Sequence, residues 1–397
     1  MTEWHIITGE YPPQPGGVSD YTRIVARELA AAGDEVHVWC PNAADLTPQD
    51  LGVIVHRNLG RLSPADLRSC SKRLNQFSRP RRLLVQWVPH AYGYKSLNVI
   101  FCVWLWLRAR LHGDRIELMV HEPFLPFKRS AWKQNLAAVI HRLMILILLN
   151  CVDRVWMSIP GWEPMLAPYA IGRRLSFTWL PIPSNITDVH QDSIAESIRR
   201  NYAAENQKLL GHFGTYGRVI TDMLDPVLPA LLREREDLSV LLMGRRSETY
   251  RDELAAKHPD VASRLFATGG LETGELSNCI SACDAMLQPY PDGVSARRGS
   301  AMICLAHGKP LITTSGALTE PIWTIKEAVM LAAAGDAECL IRQCLRLLDD
   351  VNQRRHLGAA ARRFYAECFD VRHLIPRLRQ TESENETVSE VEPVYTP

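Results

Sequence analysis

The stretch from Gly9 to Tyr21 combines residue types that could hold an anion. A short β-prone run, Trp4–Thr8, leads into it, and apolar residues at helical spacing follow it. The loop between them ends in Gly16 and Gly17. Glycines let a backbone approach a diphosphate closely, and the amino end of a helix favours negative charge. The loop is therefore a candidate phosphate-binding element, although its spacing is not GxGxxG and the same glycines also suit an ordinary turn.

Two histidines follow apolar strands in the same half of the chain. The run Leu118–Val120 leads to His121 and Glu122, and another apolar run ends at His90. Ligands of open α/β sheets bind at the carboxyl ends of the strands, so both histidines stand where a substrate would bind. The alternative for His121 is a histidine with satisfied hydrogen bonds at the edge of a loop. Asp20, at the start of the first helix, either caps that helix or faces a substrate.

A third group of chemically useful residues lies between a strand and a helix near residue 295. The loop Pro289–Ser300 contains an acid, two glycines, two serines and the pair Arg297 and Arg298. Guanidinium groups are planar forks that can bind a diphosphate through two parallel hydrogen bonds. The loop is a second candidate phosphate site, and a solvent-exposed arginine pair is the alternative.

Alternating strands and helices position the first two groups. Strand-like runs separated by helix-length segments are typical of a parallel sheet covered by helices. In the first half the predicted strands are Trp4–Thr8, Val36–Cys40, Val53–His56, Leu83–Val88, Ile116–His121 and Arg154–Ser158.

The pattern breaks at the proline-rich connector around Leu180–Asn185 and then starts again. The second half has predicted strands at Lys208–Phe213, Leu238–Met243, Leu265–Ala267, Ala285–Gln288 and Pro310–Thr313, with a helix from Leu224 to Arg235. We predict domains at residues 1–183 and 184–365, a C-terminal helix at 366–380, and a disordered acidic tail at 381–397.

Composition narrows the possible functions. A chain of 397 residues is too long to fold around one hydrophobic core of ordinary size, and its length suits two domains. The 45 basic and 44 acidic side chains leave a formal charge of +1, which gives no reason to expect a nucleic-acid partner. The ten cysteines are scattered through apolar runs and predict reduced thiols in a cytoplasmic protein.

Two apolar segments, Val99–Leu107 and Leu143–Leu149, are interrupted by charge well before the roughly 18 residues of a membrane span. Basic residues surround both of them. The sequence favours two core helices with solvated basic ends, and peripheral contact with the inner face of the membrane is the alternative.

Three stretches together resemble the retaining family 4 glycosyltransferases of group 1 type. These are PPxxGGVxxY near the amino end, LPIPSNI in the connector, and PYPDGVSARRGSAMICLAHGKPLITT in the second half. The resemblance covers about residues 4–370 and implies a GT-B fold, in which two Rossmann-like doubly wound α/β domains face a central cleft. It also implies transfer of a sugar from a nucleotide-sugar to an acceptor.

The resemblance assigns roles to the first-half candidates. The loop at Gly16 and Gly17 would offer N–H groups to the donor diphosphate. His121 would contact the donor sugar and polarise the reacting centre, with Glu122 orienting its ring. Asp20 and His90 would contact the acceptor.

The second half departs from the family pattern. Many members carry two glutamates separated by seven residues, and counting back from Gly308 puts Ser295 and Ile303 at those positions. Isoleucine cannot accept a hydrogen bond from a ribose hydroxyl. The family's arginine–lysine pair is also incomplete, since Arg218 is present and no lysine stands five residues on.

Other residues of the second half could take over the donor site. These candidates are Asp292, Gly293, Ser295, Arg297, Arg298 and Glu320. Arginines and helix ends would stabilise the leaving diphosphate, and the chain has no DxD-like metal motif. We therefore expect no metal and no cofactor beyond the nucleotide-sugar co-substrate, with a glycan, a lipid-linked glycan or a small molecule as acceptor. A non-catalytic sugar-nucleotide binding protein and a nucleotide-sugar epimerase are the alternative functions.

Overall fold

The computed structural model describes residues 1–43, 50–92 and 96–380. The chain forms two compact units. The first consists of the described residues of Met1–Met157, of Met165–Leu180 and of residues 370–380, and the second of Ser158–Pro164 and Pro181–Phe369. The predicted tail at 381–397 lies outside the described residues.

The first unit contains a parallel sheet of seven strands in the order β3-β2-β1-β4-β5-β6-β7. The strands are β1 Glu3–Ile7, β2 Glu35–Trp39, β3 Val53–His56, β4 Arg82–Trp87, β5 Arg115–Val120, β6 Arg154–Met157 and β7 Ser176–Trp179. The helices are α1 Gly17–Ala31, α2 Pro64–Leu74, α3 Val99–His112, α4 Trp132–Leu149 and, in the last segment of the unit, α15 Val371–Arg379. The short helix α5, Glu163–Leu166, lies where the units meet in sequence.

The second unit contains a parallel sheet of six strands in the order β10-β9-β8-β11-β12-β13. The strands are β8 Lys208–Phe213, β9 Leu238–Met243, β10 Leu265–Ala267, β11 Ala285–Gln288, β12 Leu311–Ser315 and β13 Met330–Ala333. The helices are α6 Asp192–Tyr202, α7 Arg218–Leu224, α8 Leu228–Glu234, α9 Ser247–Lys257, α10 Thr273–Ala282, α11 Gly299–Ala306, α12 Ile322–Ile325, α13 Ala337–Asp349 and α14 Val351–Cys368.

Apolar strands buried on both faces explain both sheets. In β9, every residue from Leu238 to Met243 is buried, as expected for a parallel strand covered by helices on both sides. Leucines of α8 and α13 pack on this side of the core together with β9 and β11. The predicted fold class, two Rossmann-like α/β sheets, is confirmed.

Two helix predictions were wrong in detail. The helix predicted from Leu224 to Arg235 is interrupted at residues 225–227. Pro226 has no N–H with which to continue the hydrogen bonds of α7, and Pro229 suits the first turn of the new helix α8. The C-terminal helix is also interrupted, because Phe369 ends α14 and the Asp370 side chain caps α15 by accepting from the Arg372 N–H.

The two strands missed by the sequence analysis, β7 and β13, are the outermost strands on one side of each sheet. Strand β7, Ser176–Trp179, is half polar and shows no continuous apolar run, whereas β13, Met330–Ala333, is apolar but ends in two alanines, a residue type that is depleted in strands. The ten cysteines all lie within the described residues, where no disulfide joins them, and eight of them are buried.

Helix α4 is longer than the apolar run seen in the sequence. Among the described residues it is the one helix whose length and composition would allow it to cross a membrane, and a third of it is buried within the fold. Buried core helices can meet the same criterion, so this property alone is weak evidence.

Helix α15 closes the first unit. Its Leu374, Ile375 and Leu378 are buried, Arg82 Nη2 of β4 donates to the carbonyl of Leu378 at 2.6 Å, and Arg379 pairs with Asp34 at 3.2 Å. The last described helix of the chain therefore belongs to the first sheet and not to the second.

We expect Leu378→Ala to lower the free energy of unfolding by about 2–5 kcal/mol, the usual cost of truncating a fully buried leucine. Urea denaturation followed by fluorescence measures this change. Leu111→Ala, at an exposed leucine of the same unit, is the matched control and should change stability by less than about 0.5 kcal/mol. Equal effects of the two substitutions would contradict the packing described for α15.

Candidate functional site

The first sheet has a switch point between β1 and β4. Strands β2 and β3 are added on one side of β1, and the strands from β4 to β7 are added on its other side. The loops after β1 and β4 therefore diverge. The loop with Gly16 follows β1, His90 follows β4, and His121 and Glu122 follow the neighbouring strand β5. The fold thus gathers the first-half candidates at one edge of this sheet.

A carboxylate of the chain itself lies at the amino end of α1. Glu10 Oε1 accepts a hydrogen bond from the Ser19 N–H at 3.1 Å, and Gly16 is the residue that precedes the helix. A Cβ at Gly16 would lie only 2.4 Å from Glu10 Oε1, whereas one at Gly17 would meet nothing within 4 Å. Gly16 therefore makes room for Glu10, and an incoming phosphate would compete with this carboxylate.

Asp20 lies in the first turn of α1 and is not its capping residue. Its backbone N–H donates to the carbonyl of Gly16 at 3.0 Å. A carboxylate in a first turn interacts favourably with the helix dipole. This is a structural reason for the residue, and its predicted contact with an acceptor stays a prediction.

His121 is buried, with 7% of the residue exposed. Its Nε2 lies 2.8 Å from Gln86 Oε1, and the ring packs edge-on against Tyr21 with centroids 4.9 Å apart. Burial lowers the pKa of His121 to about 3. The ring is therefore neutral at physiological pH, and its Nε2 donates to the Gln86 oxygen.

Gln86 is a residue that the sequence analysis missed. It is fully buried in β4, and its Nε2 has no hydrogen-bond partner among the described residues. A glutamine inside an otherwise apolar strand, Arg82–Trp87, is the signal that could have revealed it. It fixes the orientation of the His121 ring.

His90 and Glu122 lie together at the ends of β4 and β5. His90 Nδ1 is 3.8 Å from Glu122 Oε2, and both side chains are exposed. Gln86 hydrogen-bonds the His121 ring, and the predicted role of Glu122 in orienting that ring stays a prediction. An exposed histidine–carboxylate pair at this edge can bind a hydroxyl group by donating and accepting hydrogen bonds.

The second sheet has its switch point between β8 and β11. Arg218 follows the loop after β8, and the loop with Asp292 and the two arginines follows β11. Glu320 follows the next strand, β12. The second-half candidates therefore also share one sheet edge.

Asp292 holds both arginines of the loop. Arg297 Nη2 donates to Asp292 Oδ2 at 2.5 Å, and Arg298 Nη2 donates to Asp292 Oδ1. The Arg298 guanidinium lies 4.7 Å from the centre of the Tyr290 ring, and that of Arg297 lies 5.7 Å from the Trp162 ring. Burial and the neighbouring Arg297 lower the pKa of Arg298. Asp292 and the two aromatic rings therefore fix the positions of both guanidinium groups, and the Asp292 carboxylate neutralises part of their positive charge.

Two close-packed loops fix this arrangement. Gly293 has a φ of +87°, and a Cβ there would lie 2.2 Å from Thr319 Oγ1 and 2.3 Å from the Gly316 nitrogen. The Leu318 N–H donates to the carbonyl of Asp292 at 2.9 Å. The backbone conformation and the close packing of the two loops therefore require a glycine at position 293. These structural reasons account for Gly293 whether or not it contacts a ligand.

Glu320 is a buried carboxylate that holds the same loop. Its Oε1 and Oε2 accept from the Ala296 N–H at 2.9 and 3.2 Å, and Oε2 accepts from Trp323 Nε1 at 2.8 Å. Burial raises its pKa to about 7, and these hydrogen bonds oppose the increase. Glu320 positions the backbone just before Arg297.

Buried residues occupy the positions of the family's two glutamates. Ser295 is fully buried, and Ile303 is buried in α11. Ser295 Oγ and Arg298 Nε have no hydrogen-bond partner among the described residues. Buried polar atoms without partners cost free energy, so the loop carries an unsatisfied polarity that a polar ligand or water could complete.

Arg218 begins α7 and has a side chain that is 92% exposed, 3.8 Å from Asp222. It lines a cavity of about 360 Å³ between α7 and α9. The charged residues lining this cavity are Arg218, Asp222, Asp225, Arg246, Glu253 and Lys257. Since the charges balance, the cavity has no marked preference for an anion.

Among the described residues, one group of metal-ligand residue types lies elsewhere. Ligand atoms of Glu3, Glu35 and His37 are within 4.8 Å of one another. Glu3 and Glu35 begin β1 and β2, so the group is at the amino edge of the first sheet and apart from the candidate residues. His37 is already paired there with Glu35 and His56.

Two Rossmann-like sheets, each with polar loops at its switch point, define an α/β enzyme of the GT-B class. The family described as "Glycosyl transferase 4-like domain" matches residues 16–163, and "Glycosyl transferases group 1" matches residues 208–350. The chain belongs to this glycosyltransferase family, as its motifs predict.

Solved structures similar to this one are GT-B glycosyltransferases. Sucrose-phosphate synthase from Thermosynechococcus elongatus has a TM-score of 0.73 at 16% identity, covering 98% of this chain and 100% of its own. HepE from Anabaena, in complex with UDP and glucose, has a TM-score of 0.66 at 13% identity with the same coverage.

A third similar structure is the UDP-forming α,α-trehalose-phosphate synthase from Burkholderia xenovorans, in complex with glucose-6-phosphate. Its TM-score is 0.66 at 12% identity, covering 95% of this chain and 99% of its own. No curated protein matches the chain in sequence. At these identities the structures establish the fold.

Glu320 should make stability depend on pH. Its pKa rises from 4.5 in the unfolded chain to about 7 in the folded protein, so its contribution is complete below pH 4.5 and is lost as the pH rises through 7. Glu320→Gln removes this titration. Between about pH 5 and 7 the wild type should lose up to about 1.4 kcal/mol per pH unit relative to the variant.

Denaturation in urea at several pH values measures this difference. Glu338→Gln, at a side chain that is 90% exposed, removes the same charge elsewhere in the unit and should leave the wild-type profile unchanged. Parallel profiles for wild type and Glu320→Gln would show that Glu320 does not titrate in this range.

Proposed function

We propose that this glycosyltransferase moves a hexose from a nucleotide-sugar to an acceptor hydroxyl, with retention and without a metal. UDP is the nucleotide best supported, since HepE was solved in complex with UDP and glucose and the trehalose-phosphate synthase forms UDP. The observation that carries the proposal is the loop Pro289–Arg298, which sets two arginines beside Asp292 at the switch point of the second sheet.

The arginines would bind the diphosphate of the donor. Departure of the leaving group builds negative charge on the phosphate oxygens, and fixed cationic donors stabilise that charge. Arg297 and Arg298 are already oriented by Asp292, Tyr290 and Trp162, so little side-chain entropy is lost when a phosphate binds. A diphosphate would replace Asp292 as the partner of one or both guanidinium groups.

His121 would act as a neutral hydrogen-bonding group toward the donor sugar. A neutral imidazole can polarise a hydroxyl at the reacting centre without adding a positive charge beside the developing oxocarbenium ion. Its buried contacts with Gln86 and Tyr21 keep the ring in one orientation. Retention, with the leaving phosphate accepting the proton of the incoming hydroxyl, follows from the family resemblance.

The acceptor would be a glycan, a lipid-linked glycan or a small sugar, consistent with a role in polysaccharide biosynthesis. His90 and Glu122 form the exposed polar pair at the first sheet edge that suits a hydroxyl-bearing acceptor. The same proposal places the protein in the cytoplasm, in peripheral contact with the inner face of the membrane.

Calorimetry and thermal shift with UDP-, GDP- and ADP-sugars test the proposal. A ligand at 100 times its Kd stabilises the fold by about 2.7 kcal/mol, so the sugar nucleotide that binds most tightly should give the largest rise in Tm. Turnover is then measured with and without sugar acceptors. Binding without turnover would identify a non-catalytic binding protein, turnover without acceptor would identify an epimerase, and the absence of any nucleotide binding would refute the proposal.

We expect Arg298→Ala to weaken binding of the donor by about 1.5–3 kcal/mol, the range for hydrogen bonds to charged groups, and Arg297→Ala to act similarly. Calorimetric titration measures both. Arg233→Ala is the matched control, since Arg233 pairs with Asp260 on the surface of the same unit. Unchanged affinity in both loop variants would mean that the phosphate binds elsewhere.

His121→Ala should lower kcat by roughly a hundredfold or more with the donor Kd nearly unchanged, because the ring acts on the transition state. His5→Ala is the matched control, since His5 is equally buried in β1 of the same sheet and its pKa is likewise lowered to about 3. Normal turnover of His121→Ala, or the same loss in both variants, would make His121 a structural histidine.

A further inference from the structure

Helix α3 carries an apolar stripe on its outer side. Phe101, Trp104 and Leu105 are buried beneath the helix. The opposite side exposes apolar residues at helical spacing, each between 37% and 69% exposed: Ile100, Val103, Trp106, Leu107 and Leu111. A surface helix needs apolar residues only on the side that packs against its own unit. The folding of this unit therefore does not explain the exposed apolar residues.

Helix α4 and the segment before it repeat this pattern. Ala138, Met144, Ile145 and Leu148 are buried. A second outer stripe, with residues between 37% and 70% exposed, consists of Leu125, Phe127, Trp132, Leu136, Val139 and Leu143. The positions 132, 136, 139 and 143 follow each other by four, three and four residues, which places them on one side of the helix.

The two stripes form one surface. Helix α3 connects β4 to its neighbour β5, and α4 connects β5 to its neighbour β6 in the same direction, so right-handed connections place both helices on the same face of the sheet. The two helices also pack against each other. We name the surface made by the two stripes the α3–α4 apolar face.

The charged side chains of helices α3 and α4 have one sign, and Glu122 is the acidic residue nearest in sequence to the start of the face. No aspartate or glutamate occurs at residues 99–113 or 123–152, nor anywhere between Asp66 and Asp114. Basic side chains border the apolar residues instead: Lys133 Nζ lies 5.6 Å from the Trp132 ring, and the Arg110 guanidinium lies 6.0 Å from the Trp106 ring. Lys128 and Arg129 are exposed just before α4.

These features suit one kind of occupant. Large exposed apolar patches mark interaction sites, and tryptophans beside lysines and arginines are typical of helices that lie in the interface of a bilayer. A second copy of the chain would bring two basic rims together, whereas acidic lipid head groups would neutralise them. We propose that the α3–α4 apolar face binds the surface of an anionic bilayer.

The position of the face adds a consequence for the substrate. Leu125 and Phe127 follow β5 and Glu122 within a few residues, so the face begins at the sheet edge that holds His90 and Glu122. A bound bilayer would present a lipid-linked acceptor at this edge. This consequence rests on the proposed transferase function, whereas the binding of the face to lipid does not.

Flotation with vesicles tests the binding. Wild-type protein should float with vesicles of phosphatidylglycerol and phosphatidylcholine and remain unbound with phosphatidylcholine alone. Trp132→Glu combined with Leu136→Glu should lower the partition coefficient at least tenfold. The triple variant Lys128→Gln, Arg129→Gln, Lys133→Gln should lower it by about a hundredfold, at about fivefold per charge.

The matched control adds the same two charges at exposed isoleucines of the same unit, Ile54→Glu with Ile171→Glu, and should float like the wild type. Circular dichroism confirms that each variant is folded. Failure of the wild type to bind anionic vesicles would overturn the proposal, as would equal binding of the Trp132/Leu136 variant. A wild-type protein that is dimeric and binds no vesicles, together with a monomeric Trp132/Leu136 variant, would show instead that the face pairs two copies of the chain.

Donor titration in solution separates this result from the proposed function. Nucleotide-sugar binding without vesicle binding overturns the membrane proposal alone. Vesicle binding without any nucleotide binding overturns the transferase proposal and leaves the docking face in place.

Discussion

The order of the strands constrains everything else in this protein. All strands of a parallel sheet present their carboxyl ends at one edge, and the loops there diverge only where the strand order reverses. Each sheet has one such point, between β1 and β4 and between β8 and β11. Residues far apart in the chain are brought to one edge for this reason, Gly16 and His121 in the first sheet and Arg218 and Arg297 in the second.

Much of the fold could be predicted from the sequence because central parallel strands are continuous apolar runs. Five strands, among them Lys208–Phe213 and Leu238–Met243, have the bounds that their patterns predict. The edge strands β7 and β13 were missed because β7 is half polar and β13 ends in alanines, which favour helices over strands. The helix interruption before α8 was readable from Pro226 and Pro229, and the sequence analysis overlooked it.

The candidate site could be predicted only in part. Residue types indicate which side chains can do chemistry, but they do not indicate which side chains of the folded chain will be their hydrogen-bond partners. His121 was placed at its strand end correctly, but its partner Gln86 was hidden in an apolar strand. The arginines at 297 and 298 stood out, but their shared bond to Asp292 depends on how the loop folds.

Carboxylates of the chain lie at two places where a donor diphosphate was expected, Glu10 at the start of α1 and Asp292 between two arginines. In the proposed transferase, each carboxylate would compete with a donor phosphate for the same partner. Each would take back its cationic or amide partner when the spent nucleoside diphosphate departs, so Asp292 would again neutralise part of the charge of the two arginines. In the proposed transferase the consequence would be kinetic: the carboxylates would lower the affinity for the donor and hasten release of the nucleoside diphosphate, and product release is a step that limits many enzymes.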